Sequence, residues 1–120
     1  MTGKDGSLMN SERMKAIKIL EELIGYFFSH EINDIQMDLH YGDAEFKIMV
    51  EGTCKNRPAD LDQLSELLNT PRQIELEEYY WGLLGGSRNR QELNLLGSLV
   101  DCGDVDLKHE KLSVTVYRKK

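Results

Sequence analysis

The sequence predicts an α+β two-layer sandwich, with helices on one face of an antiparallel or mixed sheet whose other face is polar. Three observations carry this expectation. A long run of helical period opens the folded part of the chain, two pairs of short alternating runs follow at a distance from one another, and leucine-rich helical segments with cap signals lie between the pairs. Helices gathered on one side of hairpins, rather than alternating singly with strands, point to α+β and away from a parallel doubly wound sheet.

Residues 1–10 are polar and rich in Gly, Ser and Lys, so they read as a flexible N-terminus, with one domain over 11–120. Ser11 suits an N-cap and Glu12 the positive end of a helix dipole; Met14, Ile17, Leu20, Leu23, Ile24, Phe27 and Phe28 then recur at helical spacing to about His30. Asn33 and Asp34 break that pattern. Ile35, Met37, Leu39 and Tyr41 alternate with polar residues as a half-buried strand does, Gly42-Asp43 marks a turn, and Phe46, Ile48 and Val50 resume the alternation as the second arm of a hairpin.

Gly52 reads as a strand-end turn residue opening a loop to Arg57, and Pro58 suits the first position of a second helix that carries Leu61, Leu64, Leu67 and Leu68. Thr70-Pro71-Arg72-Gln73 has the form of a capping box, so a third helix is expected to start there and to run through Ile74, Leu76, Tyr80 and Trp81 to a Gly85-Gly86 stop. Asn89 with Glu92 opens a fourth, with Leu93, Leu96, Leu99 and Val100 on its buried face. Val105 and Leu107, then Leu112, Val114 and Val116, alternate as a closing hairpin, and Arg118, Lys119 and Lys120 read as a solvated tail.

A chain of 120 residues with two prolines suits one self-sufficient domain. Cys54 and Cys102 lie far apart with no CxxC spacing, which points to two reduced thiols and a cytoplasmic setting rather than a zinc site or disulfide framework. No apolar run has the length of a membrane span or signal peptide, so neither membrane nor export is expected. Net charge of −6 and a pI near 5.0 oppose binding to a phosphate backbone, and nucleic acid is not an expected partner. His30, His40 and His109 have no local partner pattern of the Ser/His/Asp or Cys/His kind.

Glu22, Leu23, Ile24, Tyr26 and His30, in Glu-Leu-Ile-Gly-Tyr-Phe-Phe-Ser-His, resemble the signature helix of the GHKL superfamily, the ATPase fold of histidine kinases and anti-sigma-factor kinases. That resemblance implies a carboxylate at Glu22 that aligns a nucleophile, and a magnesium-holding Asn where this chain has Tyr26. The tyrosine is a poor substitute, because a neutral hydroxyl suits a hard cation less than carboxylate, carboxamide or water oxygens. A second box would present Asp-x-Gly-x-Gly to adenine, and the chain reads Glu51-Gly52-Thr53 instead. A third would cradle phosphates on glycine-rich backbone at a helix start, where Asn89 to Asn94 contains no glycine and Gly85-Gly86-Ser87-Arg88 lies upstream as the substitute anion loop.

The resemblance therefore implies a histidine-kinase-like ATPase fold with all three nucleotide boxes altered. The expected function is a regulatory, protein-binding module of bacterial signalling without ATP turnover and without a cofactor, its partner a signalling or transcription-regulatory protein. Tyr79, Tyr80 and Trp81, three adjacent aromatics that one helix cannot turn to a single core, mark the expected protein-binding patch. Two alternatives stand beside this. One is a divergent anti-sigma-factor-type kinase using ATP with magnesium, Glu22 as base and Glu51 at adenine; the other is an unrelated small α+β domain that forms a homodimer. On the bland side, Glu22 would belong to a solvated stripe with Lys15, Lys18 and Ser29, and His30 would simply meet the helix dipole.

Overall fold

The computed structural model describes residues 11–72 and 93–120. Helix α1 (Ser11–Ser29) leads into a hairpin of β1 (Ile35–Tyr41) and β2 (Glu45–Thr53); α2 (Leu61–Leu68) and α3 (Leu93–Leu99) precede a second hairpin of β3 (Cys102–Lys108) and β4 (Lys111–Lys119). The two hairpins join through their later strands into one antiparallel sheet of order β1-β2-β4-β3. The expected α+β two-layer sandwich is present, and the sheet is antiparallel throughout. Among the described residues, no helix is long and apolar enough to cross a membrane.

Alternation decides which face is covered. Phe46, Ile48 and Val50 of β2 and Leu112, Val114 and Val116 of β4 point to one side, where Ile19, Leu23 and Phe27 of α1, Leu64 and Leu68 of α2, and Leu96 and Leu99 of α3 close over them. The outward residues of the central strands are polar or part-exposed. Gly97 lets α3 approach α2 closely, since a Cβ there would lie 2.8 Å from the carbonyl oxygen of Leu67.

α1 ends near His30, as its spacing predicts, by a Schellman-type turn: Glu31 sits at φ 61, and its N–H and that of Ile32 donate to Phe28 O at 3.0 Å and Phe27 O at 3.0 Å. Other expectations are corrected. The strand expected to stop before Gly52 runs to Thr53, with Gly52 inside the ladder between Ile35 and Leu112. Its lack of a side chain serves packing, because a Cβ would meet Ile32 Cγ2 at 2.6 Å and Asp34 O at 2.9 Å. Pro58 lies ahead of α2 in a turn that Leu61 N–H closes at 3.2 Å, and Asp60 is the N-cap residue.

Thr70 donates its hydroxyl to Glu66 O at 2.9 Å at the end of α2, and Pro71 and Arg72 are not helical. The remainder of the expected third helix with Tyr79, Tyr80 and Trp81, the Gly85-Gly86 stop, the anion loop and the start at Asn89 lie outside the described residues. The C-terminal run is solvated only in part: Lys119 and Lys120 are exposed at the end of β4, and Arg118 is not. Arg118 is 3% exposed and donates to both oxygens of Glu12, Nε to Oε1 at 2.9 Å and Nη2 to Oε2 at 3.0 Å, and through Nη1 to Leu99 O at 2.8 Å.

Strand β1 also departs from expectation. Met37 and Leu39 lie opposite Val50 and Ile48 and therefore share the core-side face, yet they are 53% and 47% exposed. α1 lies over β2, and among the described residues no helix covers Met37 and Leu39, so the alternation gave direction without burial at these two positions.

Candidate functional site

Positions 22, 26 and 30 are four apart, so Glu22, Tyr26 and His30 form one row along α1. That row meets the loop between β2 and α2 at Asp60. The Tyr26 ring is 1% exposed, and its hydroxyl donates to Asp60 Oδ1 at 2.8 Å. His30 Nε2 lies 3.3 Å from the same oxygen, and the Tyr26 and His30 rings are tilted against each other with centroids 4.6 Å apart. A buried tyrosine hydroxyl needs a partner, and here the partner is a carboxylate.

Asp60 is available to Tyr26 because it does not use its side chain as a helix cap: it occupies the N-cap position of α2 with no side-chain capping bond. The cost of that lost cap is offset by the link it makes to α1. Burial is the chief cause that drives the Tyr26 pKa far above the usual tyrosine range, followed by the hydrogen bond to Asp60 and that residue's negative charge. Burial and Asp60 thus both favour the neutral, donating hydroxyl over a phenolate.

Glu22 is 6% exposed and lies 3.0 Å from Lys18 Nζ, one turn back along α1. The solvated stripe expected for it is corrected: Glu22 is buried, and Ser29 turns its hydroxyl to Tyr26 O at 2.7 Å. Glu51 is not brought to this row. Strand alternation places it on the outer face of the sheet, 3.9 Å from Lys111 Nζ, beside a small polar recess of about 120 Å³ that Asp34, Gln36 and Thr53 also line. Gly52 faces inward beneath Ile32 and Phe27, where its neighbours leave no space for even a Cβ.

A second recess of about 260 Å³ runs beside His30 and is floored by Ile32, Thr53, Cys54 and Asn56. Cys54 is buried, and its thiol donates to Asn56 O at 3.1 Å. Cys102 is an exposed free thiol on β3, so the two cysteines form no disulfide. Among the described residues, no group of three or more His, Cys, Asp or Glu side chains is placed to hold a metal ion.

The sequence places Asp60 in the first turn of the second helix and marks neither it nor Ile32 as a site residue. A signal for Asp60 exists: a tyrosine on the apolar side of a helix implies an acceptor elsewhere, and Asp60 is the one carboxylate in the turn before α2. The structure thus defines an α+β domain with a Tyr26-Asp60-His30 knot where the resemblance expects a metal-binding Asn. No family model, curated protein or solved structure matches the chain.

Proposed function

We propose that this chain is a degenerate histidine-kinase-like ATPase-fold domain that does not turn over ATP and acts as a regulatory protein-binding module in bacterial signalling. The observation that carries the reading is the bond from Tyr26 to Asp60 at 2.8 Å. At the position where the resemblance calls for a metal-holding carboxamide, the side chain is aromatic, buried and engaged in holding α1 to the turn before α2. Two further placements support it: Gly52 is consumed by packing against Ile32, and Glu51 points to the opposite face of the sheet from Tyr26.

The kinase alternative draws on Glu22, which lies buried beside Lys18 in a contact that stabilises the helix itself. Isothermal titration calorimetry with ATP and magnesium tests the proposal, alongside a phosphate-release assay. The expected result is no binding heat in the micromolar range and no released phosphate. Micromolar binding accompanied by turnover overturns it.

A further inference from the structure

The two edges of the sheet are treated differently. β3 is packed beneath α2, with Val105 and Leu107 half-buried against the core and Asp104 and Asp106 outward. Among the described residues, no helix packs over Met37 and Leu39 of β1 in this way. Of the devices that keep a sheet edge solitary β1 carries a single carboxylate, Asp38: it contains no proline and no lysine, and its register against β2 runs without a bulge from Ile35 to Tyr41.

The bare face continues onto α1. Arg13 marks the flank of the helix that looks toward β1, its guanidinium 5.4 Å from the centroid of the Tyr41 ring. Ile17, Ile24 and Phe28 follow Arg13 at helical spacing on that flank, and Ile17 and Phe28 are 45% and 56% exposed. Together with Met37 and Leu39 they make an apolar strip bounded by an open strand edge, a surface of the kind that marks an interaction site.

We infer that this strip is a homodimer seam, in which β1 pairs antiparallel with β1 of a second copy to make one continuous sheet, with Leu39 on the two-fold axis. The backbone is set for this. Gly42 N–H donates to Glu45 O at 3.0 Å, and antiparallel bonding alternates, so Gln36, Asp38 and His40 turn their main-chain groups to β2. Met37, Leu39 and Tyr41 then turn theirs to the open edge.

Side-chain chemistry selects the register. Two-fold pairing must match core-side residues with core-side residues, which leaves registers centred on single residues. Centring on Asp38 sets two like carboxylates face to face, and centring on Met37 sets Asp38 against Gln36. Centring on Leu39 places Asp38 across from the partner's His40, and His40 across from the partner's Asp38. These are the pairs without backbone bonds, in which side chains come closest. On the other face the same register packs Met37 against the partner's Tyr41, and Leu39 against its own copy.

The helices agree with this arrangement. Each α1 lies over β2, so the two would stand three strand spacings apart, about 14 Å, against about 8–10 Å for helices in direct contact. Ile17 and Phe28 from both copies fill that difference. The inference holds whether or not the chain binds nucleotide.

Sedimentation equilibrium of the full chain, with circular dichroism to confirm folding, tests the seam. Wild type should be a dimer, and His40→Asp should weaken it about tenfold by opposing carboxylates twice. Adding Asp38→Lys to His40→Asp should restore most of the loss, because each new lysine then faces an aspartate. Leu39→Cys in a Cys102→Ser background should oxidise to a covalent dimer across the axis, where Cα atoms about 5.5 Å apart suit a disulfide. A wild-type chain that stays monomeric at high micromolar concentration overturns the inference and assigns the strip to another occupant. So does a dimer indifferent to all three changes.

Discussion

Tyr26 joins two elements through one oxygen, and its energetics follow from what each partner would lose. Replacing it with Phe keeps the ring packing against Phe27 and His30 but removes the donor to Asp60. Asp60 is part-exposed and can take water, so the cost should be moderate, about 1–2 kcal/mol at neutral pH. The pH dependence is more telling. The Tyr26 pKa is raised in the folded protein above its ordinary 10.0, so its contribution is complete below pH 10 and is lost as pH rises toward the folded value. In urea titrations the advantage of wild type over Tyr26→Phe should be constant from pH 7 to about 10, then shrink by about 1.4 kcal/mol per pH unit. A constant advantage across that range would mean that the hydroxyl is not held neutral by burial and Asp60.

At the scale of elements, the positions of the described helices and hairpins were legible because apolar spacing differs between a 3.6-residue and a 2-residue period. What the period could not carry was the geometry of the ends. Glu31, His109 and Glu110 all adopt positive φ, at 61, 52 and 62, with no glycine or asparagine to announce a turn. His109 and Glu110 form the two-residue connection of the closing hairpin, a left-handed turn that favours Asn-Gly. The carbonyl of Glu110 also accepts from Cys54 N–H at 2.7 Å, a main-chain bond that a glycine would preserve. Glu31→Gly and Glu110→Gly should therefore each raise stability by about 0.5–1 kcal/mol, read as a higher thermal midpoint. Gly97→Ala should do the opposite, costing about 1–3 kcal/mol, because its Cβ would press on the backbone of α2 rather than on a movable side chain. A midpoint that falls for both glycine gains would show that the left-handed residues are not strained. The bare core-side face of β1 was hidden for a related reason: alternation reports which way a side chain points and says nothing about whether a helix lies above it.

At the scale of the whole molecule, the central β2–β4 pairing joins the two hairpins, and one ion pair closes the fold over it. Arg118, near the C-terminal end of β4, reaches Glu12 in the first turn of α1 and the last carbonyl of α3, tying three elements across 106 residues of sequence. The sequence shows Arg118 only as the first of three terminal cations; its burial follows from alternation, since it falls on the same side as Val114 and Val116. The two members of the pair are not equivalent. Glu12 has a side chain 29% exposed and can recover water, whereas the guanidinium is 3% exposed and cannot. Removing Glu12 takes both carboxylate bonds from a buried cation, and removing Arg118 leaves the Leu99 carbonyl without that donor. Each single change to Met should cost about 2–4 kcal/mol, with Glu12→Met the worse of the two per hydrogen bond lost. The double change should cost less than the sum by at least about 1 kcal/mol, since an apolar pair leaves neither charge uncompensated. Denaturant titration of the three variants measures this coupling directly. Strict additivity would mean that Glu12 and Arg118 stabilise the domain through separate contacts, and that the first helix and the last strand are not held by one shared bond.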